Sequence, residues 1–166
     1  MKKVLIILLA LMCILSGCNK KSTNLGVSTV NVTQIMDDSL SKAGFSTLTE
    51  REMEKTVQGK FTSYNYKIGD NANIIITENN NKFVTNILIK ADCNNIDTLA
   101  MNEIGYITGL AIVSIESENA EEWASALPID NVFIDSEGEF SGDNCIMEYE
   151  LDDGNLSIEF KTIDND

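Results

Sequence analysis

The residues from 145 to 160 constrain the fold most, because their pattern is that of a β-hairpin. Between residues 145 and 151, apolar, aromatic or cysteine side chains occupy every second position: Cys145, Met147, Tyr149 and Leu151. The positions between them include Glu148 and Glu150, as expected for a strand with one solvated face. Asp153-Gly154 is a strong signal for a two-residue turn. After this turn the partner strand continues the buried face with Leu156, Ile158 and Phe160.

A second strand-rich region lies in the middle of the chain. Its β-branched and aromatic residues predict three strands, at Phe61 to Ile68, Ala72 to Thr77 and Lys82 to Cys93. Two turn signals separate these strands, Gly69-Asp70-Asn71 and Asn79-Asn80-Asn81. Turns this short join neighbouring strands, so we predict an antiparallel meander. A further strand signal, at Asn131 to Asp135, precedes the hairpin.

Two short helices are predicted before the meander. The first begins at a cap formed by Asn31 or Thr33 and ends at Gly44. The second follows Thr49-Glu50-Arg51-Glu52, which has the pattern of a capping box, and ends near Gly59. The apolar residues of both helices are expected to pack against the sheet.

Two more helices are predicted between the strand regions. Residues 96 to 115 form a long helix that is nearly uncharged after Glu103 and is therefore expected to be buried, although its end at Leu110 to Ile115 is also compatible with a strand. A short helix runs from Asn119 to Pro128. The resulting order is αα-βββ-α-α-βββ. It indicates an α+β domain, with an antiparallel sheet of two three-stranded blocks and the helices on one face.

The first 18 residues have the features of an export signal. Lys2 and Lys3 precede an uncharged apolar run at residues 4–15, which is too short to span a membrane but suits a signal peptide. The run ends in Leu15-Ser16-Gly17-Cys18, which resembles the lipobox of bacterial lipoproteins. This resemblance implies cleavage after Gly17 and a lipid with acyl chains such as palmitate on the Cys18 thiol. An ordinary signal peptide with a chance cysteine is the alternative.

The resemblance also implies a domain organisation and a location. Residues 1–17 would be the cleaved signal peptide, residues 18–30 the lipidated N-terminus and a flexible polar tether, and residues 31–166 a single α+β domain. A two-chain lipid holds a protein stably on a bilayer. The chain is therefore expected on the extracytoplasmic face of the cell membrane, with the membrane as one partner through Cys18.

Charge and composition exclude several classes of function. The formal net charge is -14, and 16 of the 26 acidic residues follow Ile115, where Lys161 is the one basic residue. Phosphate binding needs lysine and arginine, so a nucleic acid is not expected as a partner. The chain has no histidine. This removes Ser-His-Asp and Cys-His catalysis and the commonest zinc ligand.

Two cysteines, Cys93 and Cys145, remain after removal of the signal peptide with Cys13 and lipidation of Cys18. Both fall on the buried parity of a predicted strand. Export permits a disulfide between them. Two buried free thiols are the main alternative, and a redox-active pair is a third, although no Cys-x-x-Cys motif is present.

The acidic C-terminal third holds a candidate cation site. Its carboxylates flank Gly138 and Gly142 and comprise Asp135, Glu137, Glu139 and Asp143. Oxygen-rich loops with glycine bind calcium, but this spacing does not match an EF-hand, and alternate acids on a strand with an acidic hairpin loop explain these residues without a metal. No other cofactor is expected. A pair of carboxylates would suit a glycan hydrolase, but nothing selects two of them.

Three aromatic residues, Tyr64, Tyr66 and Trp123, are candidates for a protein-binding patch, because tyrosine and tryptophan are favoured in binding hot spots. Packing in the core is the alternative. We therefore expect a lipid-anchored domain without catalytic activity that binds a protein partner at the cell envelope. The alternatives are a cation or small ligand bound by the acidic third, and an envelope hydrolase that uses carboxylates.

Overall fold

The computed structural model describes residues 24–116, 118–127, 135–142 and 145–163. Three helices lie in these ranges: α1 (Thr29–Ala43), α2 (Thr98–Ile115) and α3 (Ala120–Ala126). The strands there are β1 (Met53–Gln58), β2 (Phe61–Lys67), β3 (Ala72–Asn79), β4 (Val84–Asp92), β5 (Ser136–Ser141), β6 (Cys145–Asp152) and β7 (Asn155–Thr162). A short 3₁₀ helix, Leu48–Glu50, precedes β1.

The described strands form one antiparallel sheet in the order β1-β2-β3-β4-β7-β6-β5. The α+β class is confirmed. The prediction of two three-stranded blocks is wrong, because β4 pairs with β7 along its length, from Asn86 opposite Lys161 to Asp92 opposite Asn155. The first group has four strands and the second has three. They make a single sheet because the two central strands bury their apolar faces side by side.

The predicted second short helix is wrong, because its residues form β1. Every residue of β1 is exposed, so burial imposes no alternation that the sequence would show. Pairing with β2 and the positive φ of Gly59 at the turn decide its conformation instead. The capping box lies two residues earlier than predicted, where the Glu50 carboxylate accepts a hydrogen bond from the Thr47 N–H at 2.9 Å and caps the 3₁₀ helix.

The domain begins earlier than the predicted boundary at residue 31. Leu25 is 2% exposed, and its N–H donates to the carbonyl oxygen of Val84 at 2.8 Å. Ser28, rather than Asn31 or Thr33, caps α1. The prediction of a tether through residue 30 is therefore wrong for residues 25–30, which pack beside the start of β4. The helix does end at Gly44, as predicted, with a φ of 84°.

Helix α2 forms the centre of the helical layer. Asp97 caps it, and it continues to Ile115, so the segment from Leu110 to Ile115 is helix and not strand. All of its buried residues fall between Ile104 and Ser114. By length and composition alone it is the one described helix that would suit a membrane span, but 56% of it is buried inside the domain. Tyr106 on α2 donates to the carbonyl oxygen of Ser39 on α1 at 3.2 Å. The apolar composition of α2 is therefore that of a core helix.

The helices cover one face of the sheet. The central strands turn alternate, fully buried side chains toward them, among which are Ile74, Ile76, Ile87, Ile89, Met147, Ile158 and Phe160. On α3, Trp123 is buried and contacts Phe140 of β5, with ring centroids 6.2 Å apart. Of the predicted strand Asn131–Asp135, residues 131–134 lie outside the described residues, and Asp135 immediately precedes β5. No described helix covers the opposite face, which is called the open face below.

Candidate functional site

The open face is acidic over its last three strands. Directly opposed residues share a face of a sheet, so the registers assign its side chains. Five glutamates from β5, β6 and β7 lie on it and are called the glutamate patch: Glu137, Glu139, Glu148, Glu150 and Glu159. They form two cross-strand rows. One row pairs Glu137 with Glu150, and the other joins Glu139, Glu148 and Glu159.

Few cations compensate the glutamate patch. Lys161 forms an ion pair with Glu148, and this hydrogen bond raises the pKa of Lys161. The Asn86 amide donates to a carboxylate oxygen of Glu159 at 2.6 Å. Glu137, Glu139 and Glu150 form no ion pair within the described ranges. Since like charges directly opposite one another destabilise a sheet, this arrangement costs folding free energy.

The predicted calcium ligands do not converge. Among the described residues, no group of three or more Asp, Glu, Cys or His side chains could hold a metal ion. Asp135 instead accepts a hydrogen bond from the Asp153 N–H at 3.1 Å, and Asp143 lies outside the described residues. Glu137 and Glu139 are exposed on the edge strand β5. The acids are spread along a surface and do not surround a point.

The open face is shallow. A depression of about 510 Å³ lies over the glutamate patch, and a second of about 730 Å³ adjoins it. The second has mixed charge, because Lys67 and Lys90 line it together with Asp70 and Asp92. Glu148 and Glu150 lie side by side on one strand and do not face each other across a cleft. This geometry suits an extended contact more than an enclosed small substrate.

The predicted disulfide is wrong. Cys93 and Cys145 are buried free thiols. The Cys93 N–H donates to the carbonyl oxygen of Gly154, the residue before β7, whereas Cys145 pairs with Thr162 at the end of β7. At about 3.3 Å per residue, β7 separates the two cysteines by more than about 20 Å, far beyond the reach of a disulfide. Burial raises the pKa of Cys145 to about 12, which also removes it as a nucleophile at neutral pH.

The three aromatic candidates do not form a recognition patch. Tyr64 and Tyr66 share one side of β2, as predicted, but it is the side toward the helices. Tyr66 is 8% exposed and Trp123 is 2% exposed. The Tyr64 hydroxyl donates to a carboxylate oxygen of Glu78 at 2.9 Å. Core packing, the alternative for these residues, is the role that the structure supports.

A buried carboxylate at the β3–β4 turn was not found from the sequence. Glu78 is 2% exposed, and Lys82 lies 2.6 Å from the same oxygen that Tyr64 contacts. Burial alone would raise the pKa of Glu78, but the hydrogen bonds from Lys82 and Tyr64 lower it below its ordinary value. In the sequence, the separation of four residues between Glu78 and Lys82 was the feature that could have indicated this ion pair. All three groups are satisfied by one another, so we assign this cluster a structural role.

Cys18 lies outside the described residues. Comparisons of the chain with protein-family models, with curated proteins and with solved structures give no match. Within the described residues, the glutamate patch is the feature that folding stability does not explain.

Proposed function

We propose that this chain is a lipoprotein anchored through Cys18 on the outer face of the cell membrane, and that its domain binds a protein partner through the glutamate patch. The partner surface would be rich in lysine and arginine. One observation carries this proposal: five glutamates are opposed across β5, β6 and β7 with Lys161 as their one paired cation among the described residues. The domain itself would have no catalytic activity.

The energetic cost of the patch supports recognition. Like charges opposed across strands destabilise a sheet by a few tenths to about 1 kcal/mol per pair. A basic partner would reverse this repulsion, because its cations would lie between the carboxylates. Complementary charge also speeds encounter and fixes the orientation of binding. The repulsion that lowers the stability of the free domain would therefore be relieved in the complex and would favour binding.

The spacing of the carboxylates favours a protein over a single cation. Opposed residues on neighbouring strands lie about 5 Å apart, and residues on the same face of one strand lie about 7 Å apart. Calcium needs six to eight oxygens at about 2.3–2.6 Å, which flat rows on a sheet do not supply. Separate cationic side chains fit these rows, and arginine binds a carboxylate through two parallel hydrogen bonds.

The binding proposal is tested by removing the unpaired charges. In E137Q/E139Q/E150Q we expect the affinity for a lysine- and arginine-rich probe peptide to fall roughly tenfold, since three rim charges together contribute about 1–2 kcal/mol. The same variant should unfold at a higher temperature than the parent, because it loses cross-strand repulsion. Fluorescence anisotropy and thermal unfolding measure the two effects.

The matched control is E118Q/E121Q/E122Q, which makes the same change of net charge near α3. It should bind the probe peptide as the parent does. Cross-linking in membranes then identifies neighbours that the parent and the control retain and the patch variant loses. If both triple variants weaken binding equally, the effect belongs to net charge and the glutamate patch is not the site.

The anchor is tested separately through Cys18. C18A should leave the precursor without lipid and with its signal peptide uncleaved, because the thiol is the acceptor of the lipid. Labelling with a radioactive or alkyne fatty acid, followed by mass spectrometry of the N-terminus, measures this. K20A/K21A is the control, because it changes neighbouring residues without removing the thiol. A processed, fatty-acid-labelled C18A protein would contradict the anchor.

A further inference from the structure

Exposed apolar side chains concentrate at one corner of the domain. Of the six large hydrophobic residues exposed in the described part of the chain, Met53 lies at the end of β1 away from its turn with β2, and Leu99 lies in the first turn of α2, after the far end of β4. The other four surround the β1–β2 and β3–β4 turns: Val30, Val57, Phe61 and Phe83, which are 66%, 64%, 38% and 40% exposed. With Lys60 and Lys82 they are called the hairpin corner.

The register places Phe61 and Phe83 together on the open face, at the same end of the sheet as Val57 and Val30, which lie on the side of the helices. Phe61 lies opposite Asn79, whose N–H donates to the carbonyl oxygen of Phe83 at 3.0 Å. With strands about 4.8 Å apart, the two phenylalanine backbones are therefore separated by about 10 Å. Val57 lies opposite Thr62, the neighbour of Phe61, and is therefore on the face that the helices cover. Val30 follows Thr29, whose N–H donates to the Lys82 carbonyl at 3.0 Å.

The polypeptide enters the domain at this corner. Leu25 is hydrogen-bonded to Val84, the residue after Phe83. Cys18 precedes Asn24 by six residues, which span at most about 20 Å even when fully extended. A lipid on Cys18 would therefore hold this end of the sheet close to the bilayer. The opposite end, with the β6–β7 turn, is farther away by the length of the strands.

The charge of the corner also suits a membrane surface. Lys60 and Lys82 are exposed there; Lys82 is paired with the buried Glu78, and Lys60 forms no ion pair with a described residue. The glutamate patch begins one strand from β4, where Asn86 donates to Glu159 of β7, and extends away from the corner to β5, which is roughly 14 Å from β4. Lysines attract anionic headgroups, and phenylalanine and valine bury their side chains at the boundary with the acyl chains.

We infer that the hairpin corner rests on the bilayer, with Phe61 and Phe83 in the headgroup region, and that it fixes the orientation of the anchored domain. This inference depends on the proposed lipid at Cys18. A few exposed apolar side chains bind a membrane weakly by themselves, but they act on a domain that the lipid already holds at the surface. In this orientation the far end of the open face, with Lys67 and Asp70, points away from the membrane.

The test compares labels at the corner with labels at the far end. The full lipidated chain is prepared as F61C or F83C, each labelled with the environment-sensitive fluorophore NBD, and reconstituted into phosphatidylcholine–phosphatidylglycerol vesicles that carry doxyl-labelled acyl chains. M53C and L99C are the matched controls, because they are exposed apolar positions at the opposite end. Cys93 and Cys145 are buried, and the parent protein reports any background labelling.

At positions 61 and 83 we expect the NBD emission to be blue-shifted by the membrane environment and quenched by the doxyl lipid, with neither change at 53 and 99. If protein that floats with the vesicles shows the same quenching and the same emission wavelength at all four positions, the orientation is wrong and the anchor stands. Protein that does not float would overturn the anchor and the orientation together. Far-ultraviolet circular dichroism verifies that each variant is folded.

Discussion

Replacing Glu103 by alanine should destabilise the domain by about 3–5 kcal/mol, because it leaves the Arg51 guanidinium buried without its partner. The two side chains form an ion pair and are 8% and 12% exposed. Arg51 also donates to the carbonyl oxygen of Ser46 at 2.6 Å, so it joins the loop after α1 to helix α2. Urea unfolding followed by circular dichroism measures the change.

The matched control removes both charges together. R51M/E103L should lose much less stability than E103A, because a buried ion pair replaced by apolar side chains of similar size leaves no charge unpaired. E52A breaks the exposed pair with Lys67 and should have a far smaller effect than E103A. If E103A is as stable as E52A, the Arg51–Glu103 pair does not hold the loop to α2.

The hairpin of β6 and β7 could be predicted because its signals are local. Asp153 and Gly154 both adopt positive φ, of 46° and 75°, as the two-residue turn requires. Burial of one face imposes the alternation that begins at Cys145. Strand β1 lacks this constraint, since all of its residues are exposed, and its glutamate and lysine suited a helix equally.

Long-range pairing was the part that could not be predicted. Nothing local indicates that β7 pairs with β4, which is distant in sequence and belongs to another strand group. The glutamate patch depends on that sheet order and on β5. The outward parity of Glu148 and Glu150 was predicted correctly, but Glu137 and Glu139 were attributed to alternate acids on a strand and an acidic hairpin loop, with no partner strand assigned. Their opposition became visible only with the cross-strand register.

The pairing of β4 with β7 makes Phe160 the second position of large effect. Phe160 is fully buried on β7, opposite Ile87 of β4 and Met147 of β6. F160A should destabilise the domain by about 3–5 kcal/mol, since it loses the burial of the ring and leaves a cavity. The total free energy of unfolding of a domain of this size is about 5–15 kcal/mol, so the unfolded fraction of F160A should rise sharply. Urea unfolding gives the change.

F83A is the matched control for F160A, because it makes the same substitution at a side chain that is 40% exposed. It removes no buried ring and leaves no internal cavity, so its effect on stability should stay below about 1 kcal/mol. F160L, which keeps most of the volume, should lie between the two alanine variants. Equal unfolding midpoints for F160A and F83A would mean that β7 is not packed between β4 and β6. The continuous sheet that carries the glutamate patch would then be wrong as well.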